Sequence, residues 1–250
     1  MPRLAPVTKT VLRAIYSSQI DRPSRGIGHA IAKDCQAKGM EVIGLSSKVP
    51  EGVGWTHYGV DLTSSDSGDQ LKEIIEKHRP ARFVGNAGLL ISGRLEDVTQ
   101  ADFQRLMQIN LFSLMQTCQL MMPIFEAEQF GRIVLIGSRA ALGKEDRILY
   151  GPAKAAVASL GRSMALELAR WQVTANTVAP GPIATELFNQ GQPVGTPARI
   201  RIETNVPLGR VGDPADIAAA TSFFLSDEAG YVTGQTLNVC GGLSVGFGAQ

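Results

Sequence analysis

The chain has 250 residues, of which 44% are hydrophobic and 19% charged, and its formal net charge is +1 at pH 7. A near-neutral balance without a long basic run lacks the footprint of a nucleic-acid binder, and no segment reaches the ~18 uninterrupted apolar residues of a membrane span. Cys35, Cys118 and Cys240 are scattered without metal-ligand spacing and, with His29, His57 and His78, suggest no metal site; the cysteines read as reduced thiols of a soluble cytoplasmic protein.

Taken in order, the segments alternate between strand and helix signals, which predicts a parallel sheet covered by helices on both faces. Residues 10–16 read as a first strand, 26–38 as a helix ending before Gly39, 41–45 as a second strand and 55–60 as a third. A helix over 66–78 and the strand-to-turn run ARFVGNAG follow. Thr99 with Asp102 three residues on resembles a capping box and opens a long amphipathic stretch to about Glu128, with Asn110 in its middle. RIVLIGS reads as the fifth strand, 150–169 as an Ala- and Leu-rich helix, and QVTANTVAP as the sixth strand. Asp213-Pro214 supplies an N-cap and a first-turn proline for a helix to about Leu225, and QTLNVCGG closes the sheet. No repeat or linker divides the chain, so one α/β domain of the doubly wound, Rossmann type with about seven strands is expected over 1–250.

Within this frame a proton-transfer centre is discernible. Tyr150 and Lys154 in YGPAK stand four apart, hence on one helix face, where an ammonium near a phenol favours phenolate and lowers its pKa. Ser138, ending RIVLIGS, would emerge at a carboxyl end of the sheet, where open α/β folds bind their ligands. A Tyr and a Lys four apart also occur by chance, and Asn110 also reads as an asparagine satisfied by neighbouring backbone.

Joined to Arg25-Gly26-Ile27-Gly28, Asn86-Ala87-Gly88, Asn110 and Pro180-Gly181, these residues resemble the short-chain dehydrogenase/reductase family over nearly the whole chain. The similarity to 3-oxoacyl-carrier-protein reductases is strongest around the helix after Tyr150 and the NVCGG-like ending. The resemblance implies NAD(P)-dependent hydride transfer between a secondary alcohol and a ketone. In reduction Tyr150 would protonate the carbonyl oxygen, Ser138 would hydrogen-bond it, and Lys154 would bind the nicotinamide ribose and tune Tyr150. Asn110 would sit in a locally opened helix and hold a relay water.

For the coenzyme, the resemblance places Gly26, Ile27 and Gly28 at the phosphate turn, although Arg22 stands where the family has its first glycine. Asp61 and Leu62 resemble the adenine-contacting pair, with a plain turn through Asp61 and Thr63 as the other reading. Asn86, Ala87 and Gly88 would pass beneath the ribose, with Gly85 in place of a usual asparagine. Pro180, Gly181, Ile183 and Thr185 would seat the nicotinamide. The second strand ends Gly44-Leu45-Ser46-Ser47-Lys48 without the acid that suits a free ribose 2′-OH, so Arg25 and Lys48 point to NADP; with NAD, Ser46 would serve the ribose hydroxyls. Residues 184–210, punctuated by Gly and Pro, are the expected substrate lid. Two helices with apolar faces resemble those of the family's dimer interface and imply a homotetramer or homodimer acting on a small alcohol or ketone. The irregular segment before Arg25 keeps a competing reading open, a non-catalytic dinucleotide-binding or scaffold protein of the same fold.

Overall fold

The structure is a computed structural model that describes residues 13–17, whose backbone alone is considered, and 26–245. Seven strands form one parallel sheet in the order β3-β2-β1-β4-β5-β6-β7. They are β1 (Arg13–Ser17), β2 (Glu41–Ser46), β3 (Thr56–Gly59), β4 (Arg82–Gly85), β5 (Gly131–Ile136), β6 (Val173–Pro180) and β7 (Thr236–Val239). Every residue of β4, β5 and β6 is buried, as expected of strands covered on both faces.

The two faces follow from the period of two along each strand. Ile133 and Leu135 of β5 join a core with α2 (Ser67–His78), α4 (Ser113–Glu128) and α5 (Tyr150–Leu168), whereas Val134 and Ile136 join another with α1 (Ile27–Ala37) and α8 (Pro214–Leu225). Two buried cations tie sheet to helix. Arg82 donates to the Leu225 carbonyl and the Asp227 carboxylate, both at 2.8 Å, and Arg132 donates to the Ser226 carbonyl at 3.2 Å. Their guanidinium carbons lie 4.7 and 4.3 Å from the Phe130 ring centroid, so the ring is held by both charges.

The capping residues fix helix starts where the sequence places them. Thr99 and Asp102 exchange bonds at the head of α3 (Gln100–Met107), and Asp213 and Asp216 do the same for α8. The stretch after Thr99 opens around Asn110, as the resemblance implies: residues Gln108–Phe112 widen into a π-turn between α3 and α4. The expected lid contains two short helices, α6 (Glu186–Gly191) and α7 (Pro197–Asn205), capped by the Thr185 and Thr196 hydroxyls. Because β1 and β4 are neighbours while the chain passes from β1 outward to β3 before returning, the sheet has its topological switch beside β1, where such folds open a crevice.

Candidate active site

Ser138 lies just past β5, caps the following 3₁₀ turn by accepting from Ala140 N–H at 3.1 Å, and faces the start of α5. Gly151 lets that helix approach: a Cβ there would stand 2.9 Å from the Ala140 carbonyl. Tyr150 and Lys154 share one face of α5, with the Lys154 ammonium 5.8 Å from the phenol ring centroid. Lys154 is 3% exposed and donates to the Ile136 carbonyl at 2.7 Å.

The electrostatics differ from the expectation of a lowered phenol pKa. Burial raises the Tyr150 pKa and is the largest influence, opposed by the Ser138 hydroxyl and the Arg147 charge. Lys154 is itself pushed down to about 8 by desolvation. In this cavity the cost of removing charge from water outweighs the help the four-residue spacing suggests.

Asn110 is fully buried inside the π-turn, so the local opening of its helix is present. Its amide, however, is bonded at both ends to one residue: Oδ1 accepts from Leu89 N–H at 2.6 Å and Nδ2 donates to the Leu89 carbonyl at 2.9 Å. This pair ties the π-turn to the loop after β4. Gly88 brings the two halves of the site together, since a Cβ on it would lie 3.4 Å from the Lys154 ammonium and 3.7 Å from Asn110 Oδ1.

Ser138, Tyr150 and Lys154 line one cavity of about 1000 Å³ with Gly26, Ile27, Gly28, Asn86, Gly88, Pro180, Gly181, Ile183 and Thr185. The wall fits a dinucleotide held against backbone. Gly26 has φ +88°, the region glycine favours, and a Cβ on Gly181 would meet Cys240 Cα at 2.7 Å. Thr185 Oγ1 accepts from Phe188 N–H at 3.2 Å and so is also the cap of α6.

The remaining predicted coenzyme residues do not line this cavity. Ala87 and Leu62 are core residues at 0% and 3% exposure. Asp61 accepts from the Thr63 N–H and hydroxyl at 2.9 and 2.7 Å, which is the turn its other reading describes. The Ser46 hydroxyl donates to the Lys48 carbonyl at 2.6 Å and pairs with His57 Nε2 at 2.6 Å, so its proton is engaged and toward a ribose hydroxyl it could act only as an acceptor. Arg25 lies outside the described residues. Conversely, Arg139, Lys144 and Arg147 line the cavity and were not singled out from the sequence, where the signal is three cations between Ser138 and Tyr150.

No helix among the described residues is long and apolar enough to cross a membrane, and no group of three or more His, Cys, Asp or Glu among them is placed to hold a metal ion. Comparison with known proteins fits the geometry. A family model described as enoyl-(acyl carrier protein) reductase matches residues 23–244. The chain is 37% identical over 235 residues to a 3-oxoacyl-[acyl-carrier-protein] reductase of Haemophilus influenzae, covering 88% of this chain and 94% of that protein. The solved structure of aldohexose dehydrogenase from Thermoplasma acidophilum superposes with a TM-score of 0.84 at 28% identity, covering 95% of this chain and 96% of the other. A structure of ElxO with NADP bound gives 0.84 at 25%, covering 94% and 99%. The protein is an NAD(P)-dependent oxidoreductase that interconverts CH–OH and C=O groups. The chain belongs to the short-chain dehydrogenase/reductase family.

Proposed function

We propose that the protein is an NADP-preferring ketone reductase in which Ser138, Tyr150 and Lys154 carry the chemistry and Asn110 positions it. When bound, the nicotinamide supplies the hydride. Ser138 donates a hydrogen bond to the substrate oxygen; its own cap bond to Ala140 leaves the hydroxyl proton available. Tyr150 gives its phenolic proton to the same oxygen as that oxygen becomes the alcohol. The phenol is protonated at neutral pH and so can donate; burial makes it the weaker acid, and the Ser138 hydroxyl and the Arg147 charge act against that rise. Lys154, held by the Ile136 carbonyl at 2.7 Å, faces both the phenol and the Gly88 backbone, where it would hold ribose and stabilise the phenolate left after transfer. Asn110 fixes the π-turn to Leu89 and thereby the wall beside Lys154.

The observation that carries this reading is the convergence of Ser138, Tyr150 and Lys154 on one cavity walled by Gly26, Gly88 and Gly181. Preference for NADP rests on the absence of an acid at the end of β2, on Lys48 there, and on the NADP-bound neighbour of the same fold. Names of the curated relatives direct the first assay to 3-oxoacyl thioesters. We further read the chain as a single domain that assembles as a homotetramer or homodimer in the cytoplasm; Phe103 on α3 and Phe112 in the π-turn are 50% and 42% exposed, apolar surface that a partner copy would cover. The test is Tyr150→Phe assayed with NADPH and a ketone panel. Turnover falls by more than ~10²-fold while coenzyme affinity by calorimetry is retained; turnover within a few-fold of the parent refutes the assignment.

A further inference from the structure

The walls of the catalytic cavity are electrically lopsided. Besides Lys154 they carry Arg139, Lys144 and Arg147, against a single carboxylate, Glu186, at the head of α6. Glu186 accepts from Gln190 Nε2 at 3.3 Å. Among the described residues none of the three cations makes an ion pair, although Glu145 and Asp146 are adjacent in sequence. Unpaired positive charges gathered around a half-enclosed space repel one another, and an anion entering that space relieves the repulsion.

The segment bearing them is anchored. Gly93 N–H donates to the Asp146 carbonyl at 3.1 Å, and Gly93 and Arg147 form a parallel bridge. Asp146 sits at φ +56°, a left-handed conformation that aspartate tolerates better than most residues. Arg147 Nη1 donates to the Asp146 carbonyl at 2.7 Å, which holds the guanidinium near its own turn. Their charges bear on Lys144, whose pKa is lowered by partial burial and then by Arg147 and Arg139, and on Tyr150, where the Arg147 charge opposes the rise that burial causes. All three belong to the segment between Ser138 and Tyr150, the two residues that would meet the substrate oxygen, whereas coenzyme phosphates belong at the glycine turn at Gly26 and the tip of β2. Leu187, Phe188 and Ile202 supply an apolar wall to the same cavity.

From this arrangement we infer that the substrate is an oxo compound bearing its own anionic group, a carboxylate or a phosphate, which Arg139, Lys144 and Arg147 hold while the ketone meets Ser138 and Tyr150. The inference rests on the ketone-reductase reading and deepens it. Arginine forks bind carboxylate and phosphate alike, so the two sources are separated by substrate.

The experiment compares matched pairs with the NADPH-loaded enzyme: 4-oxopentanoate against its methyl ester, and dihydroxyacetone phosphate against dihydroxyacetone. The expected result is a kcat/KM at least ~10-fold higher for the anionic member of one pair, the value of one charge-assisted contact, with KM for that member rising with salt. Which pair shows it identifies carboxylate or phosphate. In Arg139→Gln with Lys144→Gln, kcat/KM for the anionic member falls at least ~10-fold further than for the neutral one. Equal turnover of both members, or equal losses in the variant, overturns the inference and leaves the reductase reading standing. A loss confined to KM for NADPH assigns the cations to the coenzyme, and a loss confined to a carrier-protein-bound 3-oxoacyl thioester assigns them to docking of an acidic carrier; either overturns it. An enzyme that reduces no ketone in the panel, neutral or anionic, removes both readings together.

Discussion

Replacing Lys154 with Met removes a group proposed to hold the coenzyme ribose and stabilise the phenolate and, below pH 8, relieves the fold of a buried charge. The lysine is 3% exposed, and desolvation moves its pKa from 10.5 to about 8. At about 1.4 kcal/mol for each pH unit, that fall amounts to about 3 kcal/mol of native-state penalty borne while the side chain is charged in both folded and unfolded protein. The direction follows from proton counting. Between pH 8 and 10.5 the unfolded chain retains the lysine proton and the native protein has released it, so the parent gains stability as pH rises through this window. Met carries no such dependence. The stability of the variant relative to the parent, measured without coenzyme, is therefore expected to be about 3 kcal/mol more favourable at pH 7 than at pH 10.5. Losing the bond to the Ile136 carbonyl adds a cost of about 1 kcal/mol, but at both pH values equally. In melting temperature the pH-dependent part is on the order of 10 °C for a domain of this size. Calorimetric melts of both proteins across the window test this. A relative stability that does not change with pH refutes the claim that Lys154 is buried as a costly charge.

Asn110→Ala strips both bonds from Leu89 and leaves its part-buried N–H and C=O without that partner, at a total of ~1–3 kcal/mol; the melting temperature drops and the Leu89 amide exchanges faster, and unchanged exchange there contradicts the pairing. Gly181→Ala forces the β6 end away from Cys240 Cα, costing ~1–3 kcal/mol and raising KM for coenzyme; because the contact is with backbone, adding Cys240→Ala leaves most of the defect, and full rescue counts against the geometry. Arg25→Ala with Lys48→Ala shifts coenzyme preference toward NAD by at least ~10-fold, the scale of one phosphate contact; equal effects on both coenzymes argue against the NADP assignment.

The parts of the fold that were readable are those with a local physical cause. Strand and helix alternation announces a parallel sheet because each βαβ unit must bury both strand faces, and the Thr99–Asp102 box and the Asp213-Pro214 pair fix two helix starts within a residue. The lid helices were missed although their caps are in the sequence: Thr196-Pro197 is an N-cap followed by a first-turn proline, the same signal that located α8 after Asp213-Pro214. Glycines at 191 and 195 and Pro193 draw the eye to loops, and helices of six and nine residues leave little periodicity to set against them. The π-turn has no comparable local cause. Asn110 is a poor helix former at any helical position, and its bonds are to Leu89, 21 residues earlier.

The same distinction governs the site. Spacing places Tyr150 and Lys154 on one helix face, and the fold keeps them there. Spacing does not say how far each is removed from water, and that sets the sign of the Tyr150 shift. A phenol raised by burial is protonated at neutral pH but is the weaker acid for it, so burial by itself works against proton transfer in reduction, and positive charge close to the phenol has to offset it. What lowers the phenol again is charge brought close: Arg147 already does so from the segment before α5. If a substrate anion neutralises Arg147, that help is withdrawn and the phenol stays still more firmly protonated while the substrate is bound. The cations between Ser138 and Tyr150 thus couple recognition to proton delivery: an anion held by them would raise the phenol pKa further, and proton transfer would then lean on the Lys154 ammonium, 5.8 Å from the phenol ring centroid, to stabilise the phenolate.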